Sequence, residues 1–112
     1  EEPDAVDTAL GALDSLGPGD LRSTGYAVDT LQAALWIALR ATSFEEGLIQ
    51  AVNLGGDADT LGAVAGGLLG ARFGVREIPA RWGTRIAERA RIISLADRLL
   101  ELAPDAPEAT IF

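Results

Sequence analysis

Apolar residues recur along this chain with the period of an α-helix, in segments that clusters of glycine and proline separate. No segment shows the strict alternation of a β-strand. The sequence therefore predicts an all-α fold, a compact helical bundle, in one domain over residues 1–103 with a flexible tail at 104–112. Helices are predicted at about residues 4–16, 29–40, 43–53, 57–73 and 84–102, with a short turn or helix after Pro79 that contains Trp82.

Two of these helices carry additional signals. Ser43 and Glu46 have the spacing of a capping box at the start of the third helix. The fourth helix has glycine at positions 62, 66, 70 and 74. Each helical glycine costs about 1 kcal/mol relative to alanine, so we expect a ridge against which another helix packs closely. A membrane helix would show the same spacing, but the apolar run ends at Arg72, short of the about 20 residues of a span. No membrane partner is predicted.

The composition restricts the chemistry that is open to the chain. Its net charge of -8 repels phosphate backbones, so no nucleic-acid partner is expected. The absence of Cys and His removes disulfides, thiolate nucleophiles, the usual zinc ligands and the commonest general base. Carboxylates and hydroxyls remain, and these are ligands of hard cations. The first residues do not read as a secretory leader, so a cytoplasmic location is expected.

Two carboxylates and a hydroxyl lie together at the start of the fourth predicted helix, in the run Gly55-Gly56-Asp57-Ala58-Asp59-Thr60. One interpretation is structural: acidic residues gain about 0.3–1 kcal/mol at a helix N-terminus, so Asp57 would cap the helix and Asp59 would lie in its first turn. The other interpretation is a metal site, because a hard cation needs several oxygen ligands at short range. An EF-hand is excluded, since its twelfth position would be Leu68 instead of a glutamate.

The longer run from Val52 to Ala71 closely resembles the C-terminal signature of the ADP-ribosylglycohydrolase family, in which Gly-Gly-Asp-x-Asp-Thr opens a helix rich in glycine and alanine. Residues 25–36 and 43–48, and the stretch that contains Pro79 and Trp82, are similar to neighbouring parts of that family. The resemblance covers roughly residues 23–102. It implies an all-α fold around a two-magnesium centre, or a manganese one, to which this chain contributes three metal ligands, Asp57, Asp59 and Thr60, with Asp59 as the candidate bridging ligand.

The resemblance also implies a reaction. A member of this family would use magnesium to hydrolyse the glycosidic bond between ADP-ribose and a protein side chain or a small acceptor. Its substrate would be an ADP-ribosylated protein or a small molecule that contains ADP-ribose. The resemblance identifies no catalytic acid or base in this chain. The candidate substrate-binding residues are Gly25, Tyr26, Asn53 and Gly55.

The metal site that the resemblance implies is incomplete here. In the family, the other ligands come from a Thr-Asp-Asp motif and an acidic residue in the N-terminal half, and this sequence has no such motif. We therefore expect the missing N-terminal half of the same protein, or a complementary chain, to complete the site. The alternatives are a non-catalytic relative that acts as a binding or structural protein, and a small helical interaction module that uses the acidic N-terminal residues.

Overall fold

The computed structural model of this chain describes residues 3–103, and these residues form six α-helices and no strand. The all-α prediction is confirmed, whereas the predicted tail, residues 104–112, lies outside the described residues. Short 3₁₀ turns occur at Leu13–Ser15, Pro18–Asp20 and Val75–Glu77. The helices are α1 (Pro3–Gly11), α2 (Ala27–Arg40), α3 (Phe44–Asn53), α4 (Ala58–Phe73), α5 (Ala80–Gly83) and α6 (Arg89–Glu101).

Helices α2, α3 and α4 pack on one another and enclose the core. Many of the core residues are alanines, which lets the helix axes approach closely, and Ile37, Leu61 and Leu69 fill the remaining space. The predicted glycine ridge on α4 is confirmed as the surface that receives α3. A Cβ atom added to each ridge glycine would lie 3.3–4.0 Å from a side chain of α3, in the pairs Gly62–Val52, Gly66–Leu48 and Gly70–Phe44. This packing fixes the short connection between the two helices.

The predicted first helix, residues 4–16, is wrong in its C-terminal part, because α1 ends at Gly11. Carbonyl oxygens at its end and in the following turn accept hydrogen bonds from side chains of α2 instead of continuing the helical ladder. The donors are Gln32 to the carbonyl of Ala9 at 2.8 Å, Arg40 to that of Leu13 at 2.8 Å and Trp36 to that of Leu16 at 3.0 Å. These contacts hold the N-terminal segment against α2.

The capping box predicted at the start of α3 is half confirmed. The Ser43 hydroxyl accepts a 3.0 Å hydrogen bond from the backbone N–H of Glu46. The Glu46 carboxylate does not reach back to Ser43, because it accepts a hydrogen bond from the Thr42 hydroxyl. The helix therefore begins where the sequence predicts, with a different partner for the acidic residue.

The predicted last helix, residues 84–102, is wrong in its first part. Trp82 lies in α5, as expected, but α6 begins only at Arg89, after Glu88 adopts a left-handed conformation with φ +54°. Every residue from Thr84 to Ala103 is exposed, so no element within residues 3–103 covers the apolar side chains of α6. None of the helices within residues 3–103 has the length and hydrophobicity that crossing a membrane requires.

Candidate metal centre

The connection between α3 and α4 is short and depends on two glycines. Gly55 and Gly56 both have positive φ, +74° and +56°, in the region that residues with a Cβ rarely adopt. The chain can therefore turn sharply after α3 and enter α4 directly. This turn places Asp57, Asp59 and Thr60 around the N-terminal end of α4, with Asp57 half-buried and the other two exposed.

Asp57 occupies the N-cap position of α4, but it does not act as a capping side chain. Its carboxylate accepts no hydrogen bond from the first turn of the helix, which is the contact that makes aspartate favourable at this position. The carboxyl group instead lies close enough to that of Asp59 to influence its pKa. The structural interpretation of the motif as a simple cap is therefore not supported by the side-chain geometry.

The two carboxyl groups form an electrostatic pair at the helix N-terminus. The carboxyl of Asp57, and after it the backbone N–H groups of Thr60 and Asp59, hold the pKa of Asp59 below its usual value. Asp59 is therefore ionised at neutral pH. Within residues 3–103 the ion pairs are Arg81–Glu45 and Arg91–Glu88, so neither aspartate of the motif is neutralised by an arginine. Paired oxygen donors of this kind attract a cation.

The donor set fits a hard divalent cation in chemistry but not in number. Carboxylate and hydroxyl oxygens are ligands that magnesium and manganese prefer. Magnesium takes about six ligands in octahedral geometry, whereas Asp57, Asp59 and Thr60 supply three residues. In the part of the chain that the structure describes, no group of three or more acidic side chains is placed to hold a metal ion. The remaining ligands have to come from water, substrate or another segment.

A second segment, the loop before α2, lies against the motif. The carbonyl oxygen of Ser23 accepts a 3.0 Å hydrogen bond from the backbone N–H of Asp57. The α-carbon of Gly25 faces the Asp57 carboxylate, because a Cβ atom added there would lie 2.8 Å from Asp57 Oδ2. Tyr26 follows at the N-cap of α2 with its side chain 47 % exposed. The structure thus brings the predicted residue Gly25 to the site and places Tyr26 next to it.

A groove of about 340 Å³ runs from this loop to α4 beside the motif. It is lined by Gly25, Ala27, Thr30, Leu31, Thr60 and Val64. Since Thr60 forms part of its wall, the groove opens onto the predicted metal ligands. Asn53 and Gly55 are exposed and do not line the groove. Of the predicted site residues, Gly25 and Thr60 therefore line the groove.

Sequence reasoning missed the role of two residues at this site, Ser23 and Gly56. The sequence marks Gly56 only as a member of the motif, yet a Cβ atom there would lie 2.0 Å from the Ser23 carbonyl oxygen. The available signal was the second glycine of the motif, since one glycine is enough to end a helix. Nothing in the local pattern marks Ser23, because its contact with Asp57 spans 34 positions of the sequence.

Comparison with known protein families gives a match that covers most of the chain. The family model described as ADP-ribosylglycohydrolase matches residues 1–109. The chain belongs to the ADP-ribosylglycohydrolase family.

Three of its relatives show the range of the family. The chain is 42% identical over 88 residues to ADP-ribosylarginine hydrolase Tri1 of Pseudomonas putida, covering 79% of this chain and 24% of that protein. It is 38% identical over 86 residues to the protein of the same name from Serratia proteamaculans, covering 77% and 24%. It is 44% identical over 84 residues to the ADP-ribosyl-[dinitrogen reductase] glycohydrolase of Rhodospirillum rubrum, covering 73% and 29%. No solved structure matches the chain.

The matched region is a small part of each relative. The chain spans about a quarter of the length of these three proteins, 24%, 24% and 29%.

Proposed function

We propose that this chain is part of a magnesium-dependent hydrolase that cleaves the glycosidic bond between ADP-ribose and a protein side chain or small acceptor. Family membership supports the reaction class, and the names of the relatives support an ADP-ribosylated substrate. The metal assignment is carried by one observation: Asp57 and Asp59 lie together at the start of α4, Asp57 makes no capping bond, and neither aspartate forms an ion pair within the described residues. A cytoplasmic location is part of the proposal.

In this proposal the chain contributes three ligands to a two-metal centre, Asp57, Asp59 and Thr60. Bound magnesium would supply positive charge that orients a water molecule and stabilises the charge developing on the departing group. Asp59, whose pKa is lowered, contributes an ionised carboxylate, and Asp57 and Thr60 contribute further oxygen ligands. The backbone N–H groups of Thr60 and Asp59 interact with the Asp59 carboxylate, and the helix N-terminus favours its negative charge. Manganese has similar ligand preferences and should substitute for magnesium.

The substrate is proposed to enter along the groove beside the motif. Gly25 and Thr60 line this groove. Tyr26 is the residue that follows Gly25 in the sequence. An exposed tyrosine can stack on a base or ribose and donate a hydrogen bond from its hydroxyl. Asn53 and Gly55 remain weaker candidates, because they lie outside the groove lining. ADP-ribosylarginine is the first linkage to test, since two of the relatives are named for it.

The remaining part of a longer domain is proposed to complete the centre. We place the contact of this remaining part on the apolar face of α6, where Ile92, Leu95 and Leu99 are 46–68 % exposed. An apolar groove of about 220 Å³ lies between this helix and the segment from Val75 to Ile86. The family model extends through α6 to residue 109, which supports treating this helix as part of the domain. Uncovered apolar faces of this kind mark an interface.

The test is an assay of the complete protein on an arginine-ADP-ribosylated peptide, with release of ADP-ribose as the readout. Release should require magnesium or manganese and stop with a chelator. Asp59→Asn should lower the rate by at least about 100-fold, since a metal ligand is lost, while the helical circular dichroism stays unchanged. Asp14→Asn is the matched control, because Asp14 is exposed in a 3₁₀ turn away from the motif. Turnover that persists in the chelator, or in Asp59→Asn, contradicts the metal assignment.

The same assay separates the enzyme from a non-catalytic relative. If the complete protein binds ADP-ribose but releases none from any linkage tested with metal present, the binding role is favoured. If neither binding nor release is seen, the substrate class is wrong.

A further inference from the structure

We propose that the loop Ser23–Gly25 is a positioning element for Asp57, which it holds by its backbone and by its carboxylate at the same time. This proposal rests on the proposed function, in which Asp57 is a metal ligand. The loop touches no reacting atom in this role. The loop limits the positions that the Asp57 carboxylate can adopt. This matters because metal sites depend on ligand positions to within about 0.5 Å.

The first contact fixes the backbone of Asp57. The Ser23 carbonyl oxygen accepts the Asp57 N–H at 3.0 Å. Residue 56 passes so close to this carbonyl that only glycine fits, since an added Cβ would stand 2.0 Å from the oxygen. Gly56 also has φ +56°. The start of α4 is therefore tied to a segment 34 positions earlier in the sequence.

The second contact fixes the side chain. The Cβ position of residue 25 would lie 2.8 Å from Asp57 Oδ2, 3.6 Å from its Cγ and 3.8 Å from its Cβ. The whole Asp57 side chain thus lies across the α-carbon of Gly25. A methyl group at residue 25 would occupy the place of the carboxylate oxygen and turn the carboxylate away. Gly25 is needed here for space, in addition to its φ of +80°.

The loop can act as a fixed support because it is anchored to α2. The Thr24 hydroxyl donates a 2.8 Å hydrogen bond to the Asp29 carboxylate and accepts one of 3.2 Å from the N–H of Tyr26. Asp29 lies in the first turn of α2, which packs on α4 in the core. The loop and Asp57 are therefore connected through the packing of α2 on α4. We expect the loop to keep a fixed position relative to Asp57.

The experiment compares Gly25→Ala with Gly55→Ala in the ¹⁵N-labelled chain. Both glycines have similar positive φ, +80° and +74°, so both alanines suffer the same kind of backbone strain. A methyl group at residue 55 meets nothing within 4 Å, whereas one at residue 25 meets Asp57. The probe is Mn²⁺, whose paramagnetism broadens nearby amide resonances even when binding is weak.

We expect millimolar Mn²⁺ to broaden the resonances of residues 57–60 first in the unaltered chain. Gly25→Ala should require at least ten times more Mn²⁺ for the same broadening, and clearly more than Gly55→Ala, which strains the connection before Asp57 but meets no side chain. Thr24→Val provides a second variant without backbone strain. It removes both anchoring bonds and should raise the required Mn²⁺ at least threefold in a folded chain.

The outcomes separate the two proposals. If Mn²⁺ broadens resonances away from residues 57–60 in the unaltered chain, the metal role of Asp57 is wrong. If broadening is centred there but Gly25→Ala titrates like Gly55→Ala, or, should Gly25→Ala not fold, if Thr24→Val titrates like the unaltered chain, the positioning role of the loop is overturned while the metal assignment stands.

Discussion

The carbonyl oxygen of Ser23 lies 2.0 Å from the position that a Cβ atom on Gly56 would take. Gly56→Ala must therefore move one of the two segments and weaken the hydrogen bond from the Asp57 N–H to this carbonyl. A backbone hydrogen bond contributes about 0.5–1.5 kcal/mol net, so we expect the Asp57 amide to exchange its hydrogen roughly tenfold faster than in the unaltered chain. Amide hydrogen exchange followed by NMR measures this directly.

Ser23→Ala is the control for this prediction. The alanine keeps the backbone carbonyl and removes a hydroxyl whose oxygen is buried without a hydrogen-bond partner among the described residues. The Asp57 amide should stay protected, and the free energy of unfolding should stay the same or rise slightly, since an unpaired buried polar group is lost. Equal exchange rates in the unaltered chain and in Gly56→Ala would show that the contact is unimportant.

The local part of the fold could be predicted from the sequence because its signals are local. The glycine spacing of α4, the cap at Ser43 and the motif before Thr60 each operate within one or two helical turns. The motif also has a long ordered resemblance to a known family, which is how its chemistry was assigned. The pattern alone left both a cap and a metal site open and favoured the cap, whereas the side-chain geometry of Asp57 weighs against it.

The parts that could not be predicted depend on contacts between distant segments. The end of α1 is set by donors on α2, such as Gln32 bonding to the carbonyl of Ala9, and no local pattern announces them. The late start of α6 follows from the left-handed backbone of Glu88, a conformation that glutamate rarely adopts. The support of Asp57 by Ser23 is of the same kind. In each case tertiary contacts or an unusual backbone conformation override helical periodicity.

Two glycines in neighbouring helices should respond oppositely to the same substitution. At Gly47 an added methyl would stand 2.7 Å from Leu69 and 2.9 Å from Ala41, in the tightest part of the core. Gly47→Ala should therefore destabilise the isolated chain by about 1–3 kcal/mol through overpacking. At Gly67 the methyl meets nothing within 4 Å, so Gly67→Ala should stabilise by up to about 1 kcal/mol through helix propensity.

Urea unfolding followed by circular dichroism compares these two variants under the same conditions. Because both residues are helical glycines, the difference between them isolates the packing term from the propensity term. A stabilising Gly47→Ala would mean that α3 and α4 are farther apart than the structure shows.

The ion pair between Arg81 and Glu45 should give a small pH-dependent stability term. It joins α5 to α3 at 2.5 Å, and the hydrogen bond and charge of Arg81 lower the pKa of Glu45 from its usual 4.5. Since the folded pKa lies below the unfolded one, the stabilisation is present above about pH 4.5 and is lost as the pH falls through the folded pKa. Both side chains are substantially exposed, 61% and 40%, so the effect is weak and screened by salt.

Thermal unfolding of the unaltered chain and of Glu45→Gln measures this term. The variant should melt at a slightly lower temperature at pH 7 and low salt, and the two curves should converge at acid pH or in concentrated salt. A difference that grows on acidification would mean that the pair does not lower the pKa of Glu45.

The apolar face of α6 gives the sharpest test of whether further protein completes this domain. Leu99 is 68% exposed in this chain, so Leu99→Ala should change its unfolding free energy by less than about 0.5 kcal/mol. In the complete protein the remainder of the domain covers the face in our proposal, and the same substitution should cost at least about 2 kcal/mol. Ser94→Ala, on the opposite face of α6, should have the same small effect in both. Equal effects of Leu99→Ala in the two proteins would contradict a buried α6, and concentration-dependent dimerisation of the isolated chain that Leu99→Ala abolishes would identify a second copy as the occupant.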